Sequence, residues 1–250
     1  MRLVTLAERP DLLEASWRMP NAWPAFMLED PVPNRLFGQV VELFPALNLL
    51  GLEEGDNGEE LVAVLHVGAF AWDGDPAGLP ARGFDAATER TVDDAQAGLT
   101  PTAACLLEAV VRPDRQGGGR SRDLVIAARA AAAAYGLADL LAPIRPTGKA
   151  ACPRAPMTEY LARTRPDGEP QDPWLRVHTR LGARVVAHCP LSMTISGTLA
   201  QWREWTGLPF DRDGAVEVEG ALAPVQVDLV NDHAVYVEPN VWVQHRLERE

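Results

Sequence analysis

Cysteine is scarce in this 250-residue chain: Cys105, Cys152 and Cys189 are odd in number and far apart. No disulfide framework is expected, and a reducing compartment fits better. Long apolar runs are missing as well. No stretch approaches the ~20 residues that span a bilayer, and no basic segment followed by an apolar core opens the chain. The expectation is a cytoplasmic protein with no membrane partner. Positive charge is short, 23 Lys and Arg against 35 Asp and Glu, for a net charge of −12. Phosphate backbones would be repelled on average, so no nucleic-acid partner is expected, whereas a cationic small-molecule amine would be drawn in. His188-Cys189 has no second pair at Cys-x-x-Cys or His-x-x-x-His spacing, so no metal is expected. The Gly-x-Ser-x-Gly elbow of serine hydrolases is also missing.

What the chain does have is concentrated between Ala103 and Tyr135. An apolar run to Val111 meets Arg112-Pro113-Asp114-Arg115, then Gln116-Gly117-Gly118-Gly119-Arg120-Ser121, then a helix-forming segment containing Ala130 to Ala134. The pattern predicts strand, turn and helix. Three successive glycines can take positive φ and turn their N–H groups toward one point, and the helix adds its positive end. A phosphate is the natural guest, with Arg115, Arg120 and Arg122 as nearby charge. An ATP or GTP loop is excluded, because Gly119 is followed by Arg120 rather than by Lys-Ser/Thr, and Gly148-Lys149 is followed by Ala150. A dinucleotide fingerprint fails at Arg122, where a third glycine belongs.

Strand, Val-x-Pro, Gln-x-x-Gly-x-small and a helix with leucine three residues on occur here as Val111, Pro113, Gln116, Gly119, Ser121 and Leu124. The segment resembles the coenzyme loop of the GCN5-related N-acetyltransferase (GNAT) superfamily, with Ser121 where that family usually has Gly or Ala. A second, looser match follows. Asp172 and Pro173 open a helix that Gly182 ends, and His178 stands four residues before that glycine, where the family usually carries tyrosine. The resemblance covers about residues 61–188. It implies an α/β fold: a mixed, largely antiparallel sheet flanked by helices, with a C-terminal β-rich extension over about 198–250 and an acceptor-side segment over 1–57, in one elaborated domain. It also implies acetyl-CoA as cosubstrate, lying along Ala109 to Val111 with its pyrophosphate on Gln116, Gly117, Gly118, Gly119, Arg120 and Ser121.

The rest of the chain reads more coarsely. Apolar spacing suggests a helix over 36–50, and 61–70 a buried strand that Gly68 could interrupt. Residues 79–98 look irregular, with a short exposed helix from Thr88 to Ala97. Val225 to Val230 and Ala234 to Val237 suggest a hairpin across Asn231-Asp232. Trp202, Trp205 and Trp242 suit a core or a dimer interface, so a homodimer is a possible partner state.

Acetyl transfer needs a polarised thioester, a neutral amine and an outlet for the thiolate. Backbone N–H groups where the strand splays after Val110 and Val111 could polarise the carbonyl. Glu108, among apolar strand neighbours, is the candidate general base, with His66 in reserve; His178 is the candidate acid. Without the tyrosine, the alternative is a non-catalytic acyl-CoA sensor whose C-terminal extension binds a partner.

Overall fold

A computed structural model describes residues 1–56 and 58–247. In chain order the strands are β1 (Arg2–Thr5), β2 (Leu49–Gly55), β3 (Gly58–Phe70), β4 (Ala103–Val111), β5 (Asp139–Ile144), β6 (Arg184–Gly197), β7 (Gly214–Val216), β8 (Val225–Asp228) and β9 (His233–Arg246). The helices are α1 (Leu13–Trp17), α2 (Pro31–Leu43), α3 (Gly83–Gln96), α4 (Arg120–Ala134), α5 (Met157–Leu161), α6 (Pro173–Arg180) and α7 (Leu199–Thr206). Among the described residues one sheet runs β1-β2-β3-β4-β5-β9-β8-β7, and β6 lies on β9. All its pairings are antiparallel except β4 with β5.

That parallel junction shapes the molecule. β4 and β5 pair only from Ala103↔Asp139 to Cys105↔Leu141. Beyond Cys105, β4 stays with β3 as far as Ala63↔Val111, while β5 stays with β9 as far as Ile144↔Val241. The register of β3 and β4 shifts between His66↔Glu108 and Val67↔Leu106, leaving Leu107 as an extra residue. Such a bulge bends its strand and increases its twist, so β4 turns away from β5 and a wedge opens between two half-sheets.

Helix α4 covers one face of the sheet. Its buried residues, Leu124, Val125, Ala128 and Ala132, fall on one helical stripe. They pack with Leu65, Val67, Leu106 and Leu140, and alanine lets the helix approach closely. The opposite face is more aromatic: Phe26, Phe70, Trp202, Tyr236 and Trp242 are buried together. Trp202 and Trp242 are therefore core residues; their indole N–H groups donate to the carbonyls of Ala234 and Pro80, both at 2.9 Å.

Several expected elements are redrawn. Asp30 caps α2 by accepting from the Val32 amide at 2.9 Å, so the helix starts at Pro31 and ends at Leu43, before a strand rather than at residue 50. Gly68 does not break β3. A Cβ there would meet Thr91 Oγ1 at 2.4 Å, so glycine allows α3 to lie against the strand. α3 itself is longer than expected, and its Phe84, Asp85, Thr88, Thr91 and Val92 are buried rather than exposed. β8 and β9 are joined by four residues, Asp228 pairing His233, with Asp232 at φ 49°. β9 is no appendage, since it pairs β5 and β6 within the main sheet. The cap on α6 is as read: Asp172 accepts from the amides of Trp174 and Leu175 at 3.0 and 2.9 Å.

Candidate active site

At the end of β4, Gly117, Gly118 and Gly119 adopt φ of 87°, 62° and 81°, a run that side-chain-bearing residues rarely sustain. Gly119 is the N-cap of α4 and has no side chain to occupy the helix end. Among the described residues the amides of Gly118, Gly119 and Ser121 have no hydrogen-bond partner, while those of Arg122 and Asp123 return to the Gly119 carbonyl at 2.9 and 3.1 Å. The turn therefore presents free N–H groups at the positive end of a 15-residue helix, which fits a pyrophosphate. The arginines differ from expectation. Arg120 is bound to Glu53 at 2.8 and 3.1 Å and Arg115 to Glu60 at 3.2 Å, so backbone and dipole supply most of the attraction. Arg122, largely exposed, has Asp123 beside it at 3.7 Å.

The wedge between β4 and β5 opens into a cavity of about 500 Å³. Leu106 to Val110 form one wall, and Pro143, Ile144 and Arg145 the other, so Ala109 and Glu108 face it. Val111 packs instead into the core cluster that includes Leu124 of α4. Free strand edges begin after Cys105, earlier than the Val110–Val111 position expected from sequence. The N-terminal segment closes the remaining side with Trp17, Trp23, Met27 and Phe37.

Glu108 is the centre of the polar wall. Its Oε1 accepts from the Trp23 indole Nε1–H at 2.9 Å, and its Oε2 lies 3.6 Å from His66 Nε2. Burial raises the Glu108 pKa, and the Trp23 hydrogen bond partly opposes that rise. His66 is held between Trp17 and Phe37, with ring centroids at 5.0 and 5.3 Å. Asn48 fixes its tautomer. The Asn48 amide donates to the carbonyls of Phe44 and Val67 at 2.8 and 3.3 Å, which turns Oδ1 toward His66 Nδ1 at 3.0 Å. Nδ1 therefore carries the proton and Nε2 presents its lone pair toward Glu108. Burial pushes the His66 pKa down to about 4, so the ring is neutral at neutral pH.

On the facing wall Arg145 donates through Nε to Glu238 at 2.9 Å and through Nη2 to the Gly220 carbonyl. Its guanidinium lies 5.7 Å from the Trp23 ring. Tyr236 donates to the same Glu238 oxygen at 2.9 Å. With the Asn240 amide oriented by its neighbours, its nitrogen donates to the other Glu238 oxygen at 3.1 Å and its oxygen accepts from Ser192.

His178 does not reach this site. It is fully buried, its Nδ1 lies 2.9 Å from His245 Nε2, and burial beside that ring pushes its pKa down to about 3. The α6 residue that lines the cavity is Trp174, one turn earlier, which packs edge-on against His178 at 4.5 Å. The expected acid is thus a core residue paired across 67 positions. Trp23, Asn48, Arg145 and Glu238 were not singled out from sequence. Trp23, between proline-rich interruptions, carried a local signal; Asn48 and Glu238 carried none. No group of His, Cys, Asp and Glu suited to a metal occurs among the described residues, and no helix among them is long and apolar enough to cross a membrane.

A parted parallel pair, a glycine turn capping the helix after the first strand and a cavity in the parting are the arrangement expected of an acyl-coenzyme A-binding fold. No protein-family model matches the chain. A curated relative, the arginine N-acetyltransferase avaD of Aspergillus versicolor, is 32% identical over 272 residues, covering 97% of this chain and 93% of that protein. Two solved structures share the fold. The GphF GNAT-like decarboxylase in complex with isobutyryl-CoA has a TM-score of 0.59 at 19% identity, covering 99% of this chain and 100% of its own. The loading GNATL domain of CurA from Lyngbya majuscula has a TM-score of 0.58 at 15% identity, covering 98% and 96%. The chain belongs to the GNAT superfamily. It is an N-acetyltransferase that uses acetyl-CoA to acetylate an amine.

Proposed function

We propose that the acceptor is arginine or a closely related small cationic amine, and that Glu108 is the base that prepares it. The observation that carries this reading is the Asn48–His66–Glu108–Trp23 chain on one wall of the cavity. An ionised Glu108 takes a proton from the ammonium of the acceptor, and a raised pKa suits it to that task. The neutral amine then attacks the thioester carbonyl, forming the C–N bond. Unpaired N–H groups of β4 beyond Cys105 favour the developing oxyanion. As the C–S bond breaks, the nitrogen loses its second proton, which balances the departing thiolate. His66, fixed as a neutral acceptor, stabilises the protonated Glu108 until solvent collects the proton. Aromatic walls from Trp17, Trp23 and Phe37 suit a cationic group, and the relative's arginine acceptor points the same way.

Pyrophosphate binding is assigned to Gln116, Gly117, Gly118, Gly119, Arg120 and Ser121, with backbone contacts along Ala109 to Val111. His178 is not proposed as the acid. Three free cysteines and the acidic net charge support a cytoplasmic setting without nucleic-acid or membrane partners. The homodimer loses its support from Trp202 and Trp242, which are core residues.

The test is acetylation of L-arginine with acetyl-CoA by the wild type and Glu108→Gln. The variant is expected to lose about 10²- to 10⁴-fold in kcat with coenzyme affinity unchanged. Full activity of the variant would remove Glu108 as base, and no acetylation of arginine by the wild type would remove the acceptor.

A further inference from the structure

Arg145 is an unusual wall for a cavity meant to receive a cation. It follows the last residue of β5, its side chain is 12% exposed, and two of its three nitrogens are committed: Nε to Glu238 and Nη2 to the Gly220 carbonyl. Nη1 has no partner among the described residues, and Arg145 lines the cavity. Glu238 does not need that last donor. One of its oxygens accepts from Arg145 and Tyr236, the other from the Asn240 amide, and the carboxylate is completely buried. A guanidinium clamped on two edges, with the third free, is pre-organised for an anion, because its fork need not be reordered on binding.

The position of that anion follows from Trp23. The same indole donates to Glu108 and offers its ring to Arg145, so the amine-deprotonating carboxylate and the spare guanidinium edge flank one side chain. A ligand with an ammonium and a carboxylate on the same carbon satisfies both. An amine without a carboxylate leaves the cavity-facing N–H donors of Arg145 without a charged partner.

We propose that Arg145 is a specificity-determining residue that binds the carboxylate of the acceptor, so that the substrate is a free α-amino acid acetylated at its α-amine. This inference rests on the amine-acceptor reading of the same cavity but is independent of which cationic side chain is preferred.

The experiment compares carboxylated and decarboxylated partners: L-arginine with agmatine and L-argininamide, L-lysine with cadaverine, and L-ornithine with putrescine. kcat/KM is measured for each, together with calorimetric affinity in the presence of coenzyme A. The wild type is expected to favour the carboxylated member by roughly 100-fold or more, as sites built around a substrate's polar group reject analogues that lack it. In Arg145→Gln, and in Arg145→Gln with Glu238→Gln to avoid a stranded buried carboxylate, the members of each pair should converge, chiefly through KM. Agmatine should lose far less than arginine in the same variants. Equal use of agmatine and arginine by the wild type would overturn the proposal, as would an equal loss for both in the variants. Carboxylate preference in the lysine or ornithine pair with arginine ignored would overturn the guanidino acceptor while supporting the role of Arg145. If no pair reacts, equal affinities within pairs would overturn the proposal, and affinities favouring the amino acid would support it.

Discussion

The indole Nε1–H of Trp23 donates to Glu108 Oε1 at 2.9 Å across 85 positions of sequence, tying the N-terminal segment to the bulged strand. A donor on a carboxylate favours its ionised form, so this bond lowers a pKa that burial raises. Trp23→Phe keeps the apolar wall and removes the donor. The Glu108 pKa should rise, and the acidic limb of the kcat/KM profile should move to higher pH, with the alkaline plateau changed by less than about threefold. A profile that stays in place would uncouple Glu108 from the rate.

Gly119 stands at φ 81°, and a Cβ built on it meets nothing within 4 Å. Gly119→Val therefore acts through backbone direction rather than through a clash, at a strain of about 1–3 kcal/mol. Calorimetry should register about a 100-fold loss of acetyl-CoA affinity, equivalent to about 2.7 kcal/mol, with the circular dichroism spectrum retained. Unchanged affinity would dismiss the glycine turn as the donor site.

His178→Gln separates core from catalysis. The imidazole packs against Trp174 and bonds to His245 inside the protein. Stability should fall by roughly 2–4 kcal/mol, while kcat per folded molecule stays within about threefold. A 100-fold loss of kcat with unaltered melting would restore His178 as the acid.

Asp85 gives a pH-dependent stability of defined sign. It is buried beside Asp30, and burial with that neighbour pushes its pKa up to about 8, although Arg82 lies 3.9 Å away; Asp30 is pushed up to about 6. A raised carboxyl pKa means that the folded state holds a proton the unfolded chain has released. The associated stability is full below the unfolded pKa and is lost as pH rises through about 8. Asp85→Asn cannot ionise. Urea unfolding at pH 6.5 and 7.5 should therefore show wild-type stability falling relative to the variant's by about 1.4 kcal/mol per pH unit, the buried histidines contributing equally to both. Equal slopes would mean that Asp85 is ionised in the folded protein.

The glycine turn of the candidate site was legible in the sequence because its signals are local. Three glycines, the preceding Val-x-Pro and the following helix are consecutive, and backbone conformation alone makes the turn. Glu108 was legible for a similar reason, as a carboxylate within an apolar strand. The acceptor half depends on contacts between distant positions. Arg145 directly follows β5, yet its clamp comes from Glu238, 93 positions later. His178 occupied a familiar spacing, but β9 places His245 against it and buries both. α3 was misjudged because its polar Asp85, Thr88 and Thr91 are buried, with the threonine hydroxyls donating to carbonyls one turn back.

Three residue pairs join β4 to β5, and beyond them the sheet is divided. The donor turn hangs from one half-sheet through β4 and α4; Arg145, Glu238 and Asn240 belong to the other. For a lineage of such enzymes this division is a form of inheritance by parts. On the assignment proposed above, substitutions that redirect the acceptor can accumulate along β5, β9 and the N-terminal segment while the coenzyme handle is passed on unaltered. New substrates can thus be sampled without first losing the reagent that acetylates them.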